Sequence, residues 1–138
     1  MNDLSRSPVD ASRIAAAYAA DGYYFPHDVI GEREAGELLA DLEAAQAELA
    51  GDRSRMSLLR SYTARLLPSF DRLIRNPRLV DVAAAIIGPD LLVWGSSLFI
   101  KEANSPNYVS WHQDLNYWGL NDELEVTAWI SLTPSRLW

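Results

Sequence analysis

Two side chains that could bind a metal ion, His112 and Asp114, lie two residues apart in the sequence. In an extended segment the side chains of residues i and i+2 leave the backbone on the same side, so the imidazole and the carboxylate can reach one ion while Gln113 points elsewhere. A histidine and a carboxylate at this spacing supply two ligands of the 2-His-1-carboxylate triad, which binds Fe(II) and leaves coordination positions open. The spacing therefore predicts an iron site whose third ligand would be a second histidine.

Few other residues could act as further metal ligands, because the chain has no cysteine and only one other histidine, His27. The absence of cysteine excludes a disulfide framework and a thiolate metal site, so nitrogen and oxygen are the donors available. His27 follows a proline in Phe25-Pro26-His27-Asp28. That context is typical of a polar residue in a surface loop, and a role as third ligand is the less favoured alternative.

The composition is that of a globular protein. The 138 residues are 49% hydrophobic and 10% aromatic, which is enough for one domain with a real core and excludes a disordered chain. No stretch approaches the roughly 18 continuous apolar residues that a membrane span requires, and the N-terminus has no signal-like run. We therefore expect no membrane partner and a cytoplasmic location.

The net charge of -7 is unevenly distributed, because residues 51–78 are rich in arginine and contain only two acidic residues, Asp52 and Asp71. Such a stretch most often forms a solvated helix face, here paired with the acidic N-terminal half. The alternative is that guanidinium groups face an anionic small-molecule substrate. Nucleic acid is excluded as a partner by the acidity of the whole chain. The arginines are Arg53, Arg55, Arg60, Arg65, Arg72, Arg75 and Arg78.

A first helix is predicted near the N-terminus. Ser7 followed by Pro8 is typical of a helix N-cap with proline in the first turn, and Gly22 is a natural end. Ile14 and Tyr18 are one helical turn apart and mark the face that we expect to be buried.

Two further helices follow. One is predicted over residues 32–50 and ends at Gly51, and the other is capped by Asn76 before Pro77 and ends at Gly88. Apolar residues recur in both at helical spacing. They are Leu38, Leu39, Leu42, Ala45 and Leu49 in the earlier helix, and Val80, Ala83, Ala84 and Ile87 in the later one.

The hydrophobic period changes after Pro89. Residues 91–100 form a dense apolar run of strand length, and residues 124–132 alternate between apolar and more polar side chains. Helices followed by strands imply an α+β fold, with the His-Gln-Asp segment between two strands. We predict a single domain over residues 1–138, mainly helical to about residue 88 and built from strands from about residue 89.

Several short motifs, in order along the chain, resemble the phytanoyl-CoA dioxygenase family. The resemblance implies an Fe(II)- and 2-oxoglutarate-dependent oxygenase on a double-stranded β-helix, a jelly-roll or cupin-like fold of which residues 89–138 would be the start. The motifs are Asp21-Gly22-Tyr23, Arg75-Asn76-Pro77-Arg78-Leu79, Gly88-Pro89-Asp90, residues 94–102, Ser110-Trp111-His112-Gln113-Asp114 and Thr127-Ala128-Trp129-Ile130.

By position, the resemblance implies that His112 and Asp114 are the catalytic iron ligands. It also places Gln113, Trp129 and Ser97 close to the 2-oxoglutarate cosubstrate. Relatives that halogenate replace the carboxylate with a small residue, so the presence of Asp114 implies hydroxylation.

The sequence departs from the family pattern in one respect. The family places its distal histidine, and an arginine that pairs with 2-oxoglutarate, beyond the position at which this sequence stops. We therefore expect a fragment of the family domain, with an incomplete barrel whose unpaired strand edges favour self-association.

The first function hypothesis is thus a dioxygenase that hydroxylates an aliphatic C–H bond of a small organic substrate. The resemblance allows acyl-CoA thioesters, amino acids, osmolytes and secondary metabolites as substrates. The alternative is a non-catalytic truncated remnant, or a fragment that depends on an oligomer and has no activity of its own. A cupin-like binder without redox chemistry is a third class, for which only the aromatic residues argue.

Overall fold

A computed structural model describes residues 10–101, 104–106, 108–110, 112–121 and 124–134. Within these ranges no residue is assigned to a β-strand. The predicted strands over residues 91–100 and 124–132, and with them the α+β jelly-roll fold, stay predictions. The helices are α1 (Ala11–Asp21), α2 (Glu32–Glu48), α3 (Arg53–Ser61), α4 (Thr63–Leu66), α5 (Pro68–Ile74), α6 (Pro77–Ile87) and α7 (Leu115–Trp118).

The first predicted helix is confirmed at its C-terminal end. Gly22 caps α1 in the left-handed region with φ of 76°, which glycine adopts at little cost. Ile14 is buried and Tyr18 is half-buried, as the helical spacing predicted. At the other end the carboxylate of Asp10 accepts a hydrogen bond from the backbone N–H of Arg13 and so caps the helix. The predicted cap, Ser7, lies outside the described residues.

The core lies where α2 meets the three short helices α3, α4 and α5. Two leucines of α2, one turn apart, contribute its central face, and residues of the C-terminal segments, including Leu98, Ile130 and Leu132, pack against it. Burial of this apolar surface is the main driving force for folding. The buried members are Leu38, Leu42, Leu59, Ala64, Phe70 and Leu73.

Helices α3 to α5 occupy the arginine-rich stretch, where the hydrophobic pattern predicted no separate helix. Leu59 and Phe70 face the core while most of the arginines are exposed. The ion pairs described here are local, with Arg55 at 3.4 Å from Asp52 and Arg75 at 3.0 Å from Asp71. The predicted solvated helix face agrees with this exposure. Arg55 and Arg75 pair within their own stretch, whereas the guanidinium group of Arg78 donates to the Asp28 carbonyl in the N-terminal half at 2.7 Å.

The third predicted helix is confirmed as α6. The side chain of Asn76 accepts a hydrogen bond from the backbone N–H of Arg78 at 3.0 Å, which is an N-cap directly before Pro77. Helix α1 packs against α6. The loop before α2 is tied to the same helix, because His27 Nε2 donates to the Arg78 carbonyl at 3.2 Å.

Residues 91–100 connect this helical part to the segment that carries the predicted metal ligands. The backbone N–H of Leu98 donates to the Arg60 carbonyl at 2.9 Å, and the backbone N–H of Ala64 donates to Ser96 Oγ at 3.1 Å. Earlier in the same segment, Trp94 stacks on Trp118 of α7 with ring centroids 5.9 Å apart. Helix α7 begins directly after Asp114, so these contacts help to position the candidate site. No helix in the described ranges is long and apolar enough to cross a membrane.

Candidate metal centre

The two predicted ligands converge. His112 Nε2 lies 3.1 Å from Asp114 Oδ1. Asp114 directly precedes α7 and already has helical backbone angles, φ of -59° and ψ of -40°. The expectation of a fully extended segment is therefore wrong at Asp114, although the two side chains still meet.

The other ring nitrogen of His112 is fixed by the backbone. Nδ1 donates a hydrogen bond to the Ser110 carbonyl at 2.8 Å. Histidines that bind metals almost always donate their second N–H in this way, because the bond fixes the ring and the tautomer that keeps a lone pair on the coordinating nitrogen. With Nδ1 donating to Ser110, the lone pair of the neutral ring lies on Nε2, the nitrogen that faces Asp114.

The spacing of the two donor atoms fits one metal ion. Metal–nitrogen and metal–oxygen bonds of about 2.0–2.2 Å at a right angle place neighbouring donors about 3 Å apart, and Nε2 and Oδ1 are separated by 3.1 Å. The side chains of His112 and Asp114 are 39% and 30% exposed, so the ion could reach them from solvent. Within the described ranges no group of three His, Cys, Asp or Glu side chains is arranged to hold a metal. The described residues thus bring together two candidate ligands, and their role as two members of a triad stays a prediction.

The surroundings of His112 stabilise its protonated form relative to that of a free histidine. The hydrogen bond to the Ser110 carbonyl and the charge of Asp114 raise the pKa of His112 above its ordinary value of 6.5, against a smaller lowering by desolvation. A metal ion would occupy Nε2 in place of that proton.

Thr127 contacts Asp114 in the structure, although the sequence alone did not indicate it as a functional residue. Its Oγ1 donates to Asp114 Oδ2 at 2.5 Å and also lies 2.8 Å from Glu125 Oε1. The charge of Glu125 also acts on α1, where the pKa of Tyr18 is raised first by burial and then by this charge. Thr127 is 13 residues from Asp114 in sequence, so no local spacing rule could have paired them; its place in a family-like motif was the sole signal.

Comparison with known proteins assigns the chain to a family. The family model for phytanoyl-CoA dioxygenase (PhyH) matches residues 18–137. The chain belongs to the phytanoyl-CoA dioxygenase family. The match includes the His112–Asp114 pair and Thr127, and it confirms the resemblance predicted from the motifs.

Curated relatives within this family carry the name ectoine dioxygenase. The protein from Sphingopyxis alaskensis is 30% identical over 136 residues, which cover 92% of this chain and 44% of the relative. The proteins from Bordetella parapertussis and Bordetella bronchiseptica are each 26% identical over 117 residues, covering 77% of this chain and 37% of each relative. The chain thus spans less than half the length of these relatives. No solved structure matches it significantly.

The residues that the family resemblance placed near the cosubstrate are described but are not bonded to the ligand pair. Gln113 and Ser97 are exposed. Trp129 packs against Phe99 with ring centroids 5.0 Å apart and remains 74% exposed. In the described part of the chain no hydrogen bond joins these side chains to His112 or Asp114, so their cosubstrate role stays a prediction.

His27, the less favoured candidate for third ligand, has a structural contact. Its Nε2 is bonded to the Arg78 carbonyl on α6, and its ring lies 6.0 Å from that of Tyr24. These contacts agree with the expectation of a loop residue.

Proposed function

We propose that this chain carries part of the Fe(II) site of a 2-oxoglutarate-dependent dioxygenase that hydroxylates an aliphatic C–H bond of a small organic substrate. The observation that carries the proposal is the approach of His112 Nε2 to Asp114 Oδ1 at 3.1 Å, with Nδ1 of the same ring held by the Ser110 carbonyl. Membership of the phytanoyl-CoA dioxygenase family and the names of the curated relatives support it.

Each residue of the pair has a defined task. His112 presents a neutral nitrogen donor, and Asp114 contributes a negative charge that attracts a divalent cation. Iron chelated by 2-oxoglutarate would supply the oxidising chemistry, while the chain supplies geometry. Because Asp114 occupies a coordination position with a carboxylate, the proposed outcome is hydroxylation.

The remaining parts of the proposal extend the same assignment. The third ligand would be a second histidine, and Gln113, Trp129 and Ser97 would lie on the cosubstrate side of the ion. Residues 91–100 and 124–132 would be strands of the jelly roll. Trp129 and its neighbour Phe99 offer an exposed aromatic surface that suits such a pocket.

Ectoine is the first substrate to test, because the curated relatives carry its name. The assay measures succinate formed from 2-oxoglutarate by the purified chain with Fe(II), with and without ectoine. Because the proposal requires a second histidine as the third ligand, we expect turnover when the chain is assayed together with the segment that supplies this ligand, and Asp114→Ala should abolish that turnover. Asp90→Ala, which changes an exposed aspartate outside the site, is the matched control and should keep full turnover. With the site completed in this way, a folded protein that binds Fe(II) and 2-oxoglutarate but forms no succinate with ectoine, amino acids or acyl-CoA thioesters would contradict the proposal.

A further inference from the structure

One hydroxyl group lies between two carboxylates beside the candidate metal site. Thr127 Oγ1 is 2.5 Å from Asp114 Oδ2 and 2.8 Å from Glu125 Oε1. The two acidic residues come from different segments, one directly before α7 and the other from the segment that follows it. Thr127 therefore joins the segment carrying the ligand pair to residues 124–132.

The hydroxyl can satisfy only one of these acceptors at a time. Threonine has a single O–H proton, and an ionised carboxylate accepts hydrogen bonds but donates none. The shorter contact is to Asp114. The hydroxyl proton of Thr127 is therefore assigned to the hydrogen bond with Asp114. Glu125 adds a second negative charge on the other side of the threonine hydroxyl.

This contact decides which oxygen of Asp114 is free to bind a metal. Oδ2 is engaged by Thr127, while Oδ1 faces His112 Nε2. A carboxylate held in this way is biased toward presenting one oxygen, Oδ1, to the ion. Outer hydrogen bonds of this kind orient metal ligands, and their loss typically lowers metal affinity about 10- to 100-fold.

We infer that Thr127 is a positioning residue of the metal site, whose hydroxyl holds Asp114 in a one-oxygen binding mode with Oδ1 directed at the ion. The inference rests on the proposed function, because it requires that His112 and Asp114 bind a divalent metal. It assigns to Thr127 a role in metal binding that is separate from the stability of the fold.

The test measures binding of Co(II), used as a probe for Fe(II), to the purified chain by calorimetry and by the visible absorption of the bound ion. Thr127→Val keeps the shape and β-branching but removes the hydroxyl, and we expect a roughly 10- to 100-fold loss of affinity together with an altered Co(II) spectrum. Thr127→Ser restores the hydroxyl and should bind with an affinity close to that of the wild type. Thr133→Val, the same change at another exposed threonine, should leave both readouts unchanged.

The outcomes separate this inference from the proposed function. If the wild type binds Co(II) and Thr127→Val binds it equally well with the same spectrum, the positioning role is overturned. If the folded wild type binds no Co(II), the proposed function itself is overturned. Because Thr127 is exposed, we expect the valine variant to fold, and Thr127→Ala provides a second variant that lacks the hydroxyl. The unfolding midpoints of the metal-free variants are measured alongside, and a purely structural threonine would change those midpoints and leave the spectrum unchanged.

Discussion

At the residue scale, the raised pKa of His112 predicts how metal binding responds to pH. A proton on Nε2 competes with the metal, so affinity is full above the pKa and falls roughly tenfold per pH unit below it. Since the Ser110 carbonyl and the Asp114 charge raise this pKa, the fall should begin at a higher pH than for an ordinary histidine. Co(II) titrations of the chain across about pH 5.5 to 8 measure the effect. An affinity that does not change over that interval would contradict the role of His112.

A second residue-scale prediction concerns Ser69, which lies in the core on α5. Its Oγ is buried and has no hydrogen-bond partner in the described part of the chain. Burying an unpaired hydroxyl costs about 1–3 kcal/mol, so Ser69→Ala should raise the free energy of unfolding or leave it unchanged. Thr63→Val is the comparison, because the buried Thr63 hydroxyl donates to the Leu59 carbonyl at 2.8 Å and its removal should lower stability. Urea unfolding measures whether each substitution raises or lowers the free energy of unfolding. Destabilisation by Ser69→Ala would show that this hydroxyl has a partner.

Sequence reasoning at this scale succeeded where the chemistry was local. The pairing of His112 with Asp114 follows from two ligand types at a two-residue spacing, even though Asp114 has helical and not extended backbone angles. The contact of Thr127 with Asp114 was not predicted, because it depends on the path of the chain between the two residues. The same holds for His27, whose hydrogen bond reaches 51 residues along the chain to Arg78.

At the scale of the helices, α3 offers a direct test of the core. Leu59 is 2% exposed, whereas its neighbour Leu58 is 51% exposed on the same helix. Leu59→Ala should lower the free energy of unfolding by about 2–5 kcal/mol through lost burial and the cavity left behind. Leu58→Ala should change it by about 0.5 kcal/mol or less. Chemical denaturation followed by circular dichroism measures both, and equal effects of the two substitutions would contradict the assigned orientation of α3.

The elements that the sequence predicted well are those with caps at their ends. Gly22 and Asn76 mark the limits of α1 and α6 in the structure, as their types suggested. The predicted second helix was right within two residues, because α2 ends at Glu48 and its cap is Leu49. Helices α3 to α5 were not predicted individually, because they are short and their arginines interrupt the periodic pattern of apolar residues. Packing against α2 stabilises these helices more than local helix propensity does.

At the scale of the whole molecule, apolar side chains are exposed mainly in the C-terminal third. Leu92, Tyr108, Tyr117 and Trp129 are each at least 74% exposed. We expect the chain to self-associate as its concentration rises, and more so with added salt, because salt screens the net charge of -7 that keeps copies apart. Sedimentation velocity measures this association. Leu92→Lys should weaken it, and Leu66→Lys on α4 is the matched control. A chain that stays monomeric at high concentration and high salt would contradict the expectation.

The central claim is that His112 and Asp114 bind iron together with 2-oxoglutarate. The most direct measurement is an anaerobic titration of the purified chain with Fe(II) and 2-oxoglutarate, followed by the weak visible charge-transfer band of the chelate. We predict a band in the wild type and none in His112→Ala, with both chains folded by circular dichroism. A folded wild type without the band, or a band of equal strength in His112→Ala, would contradict the account.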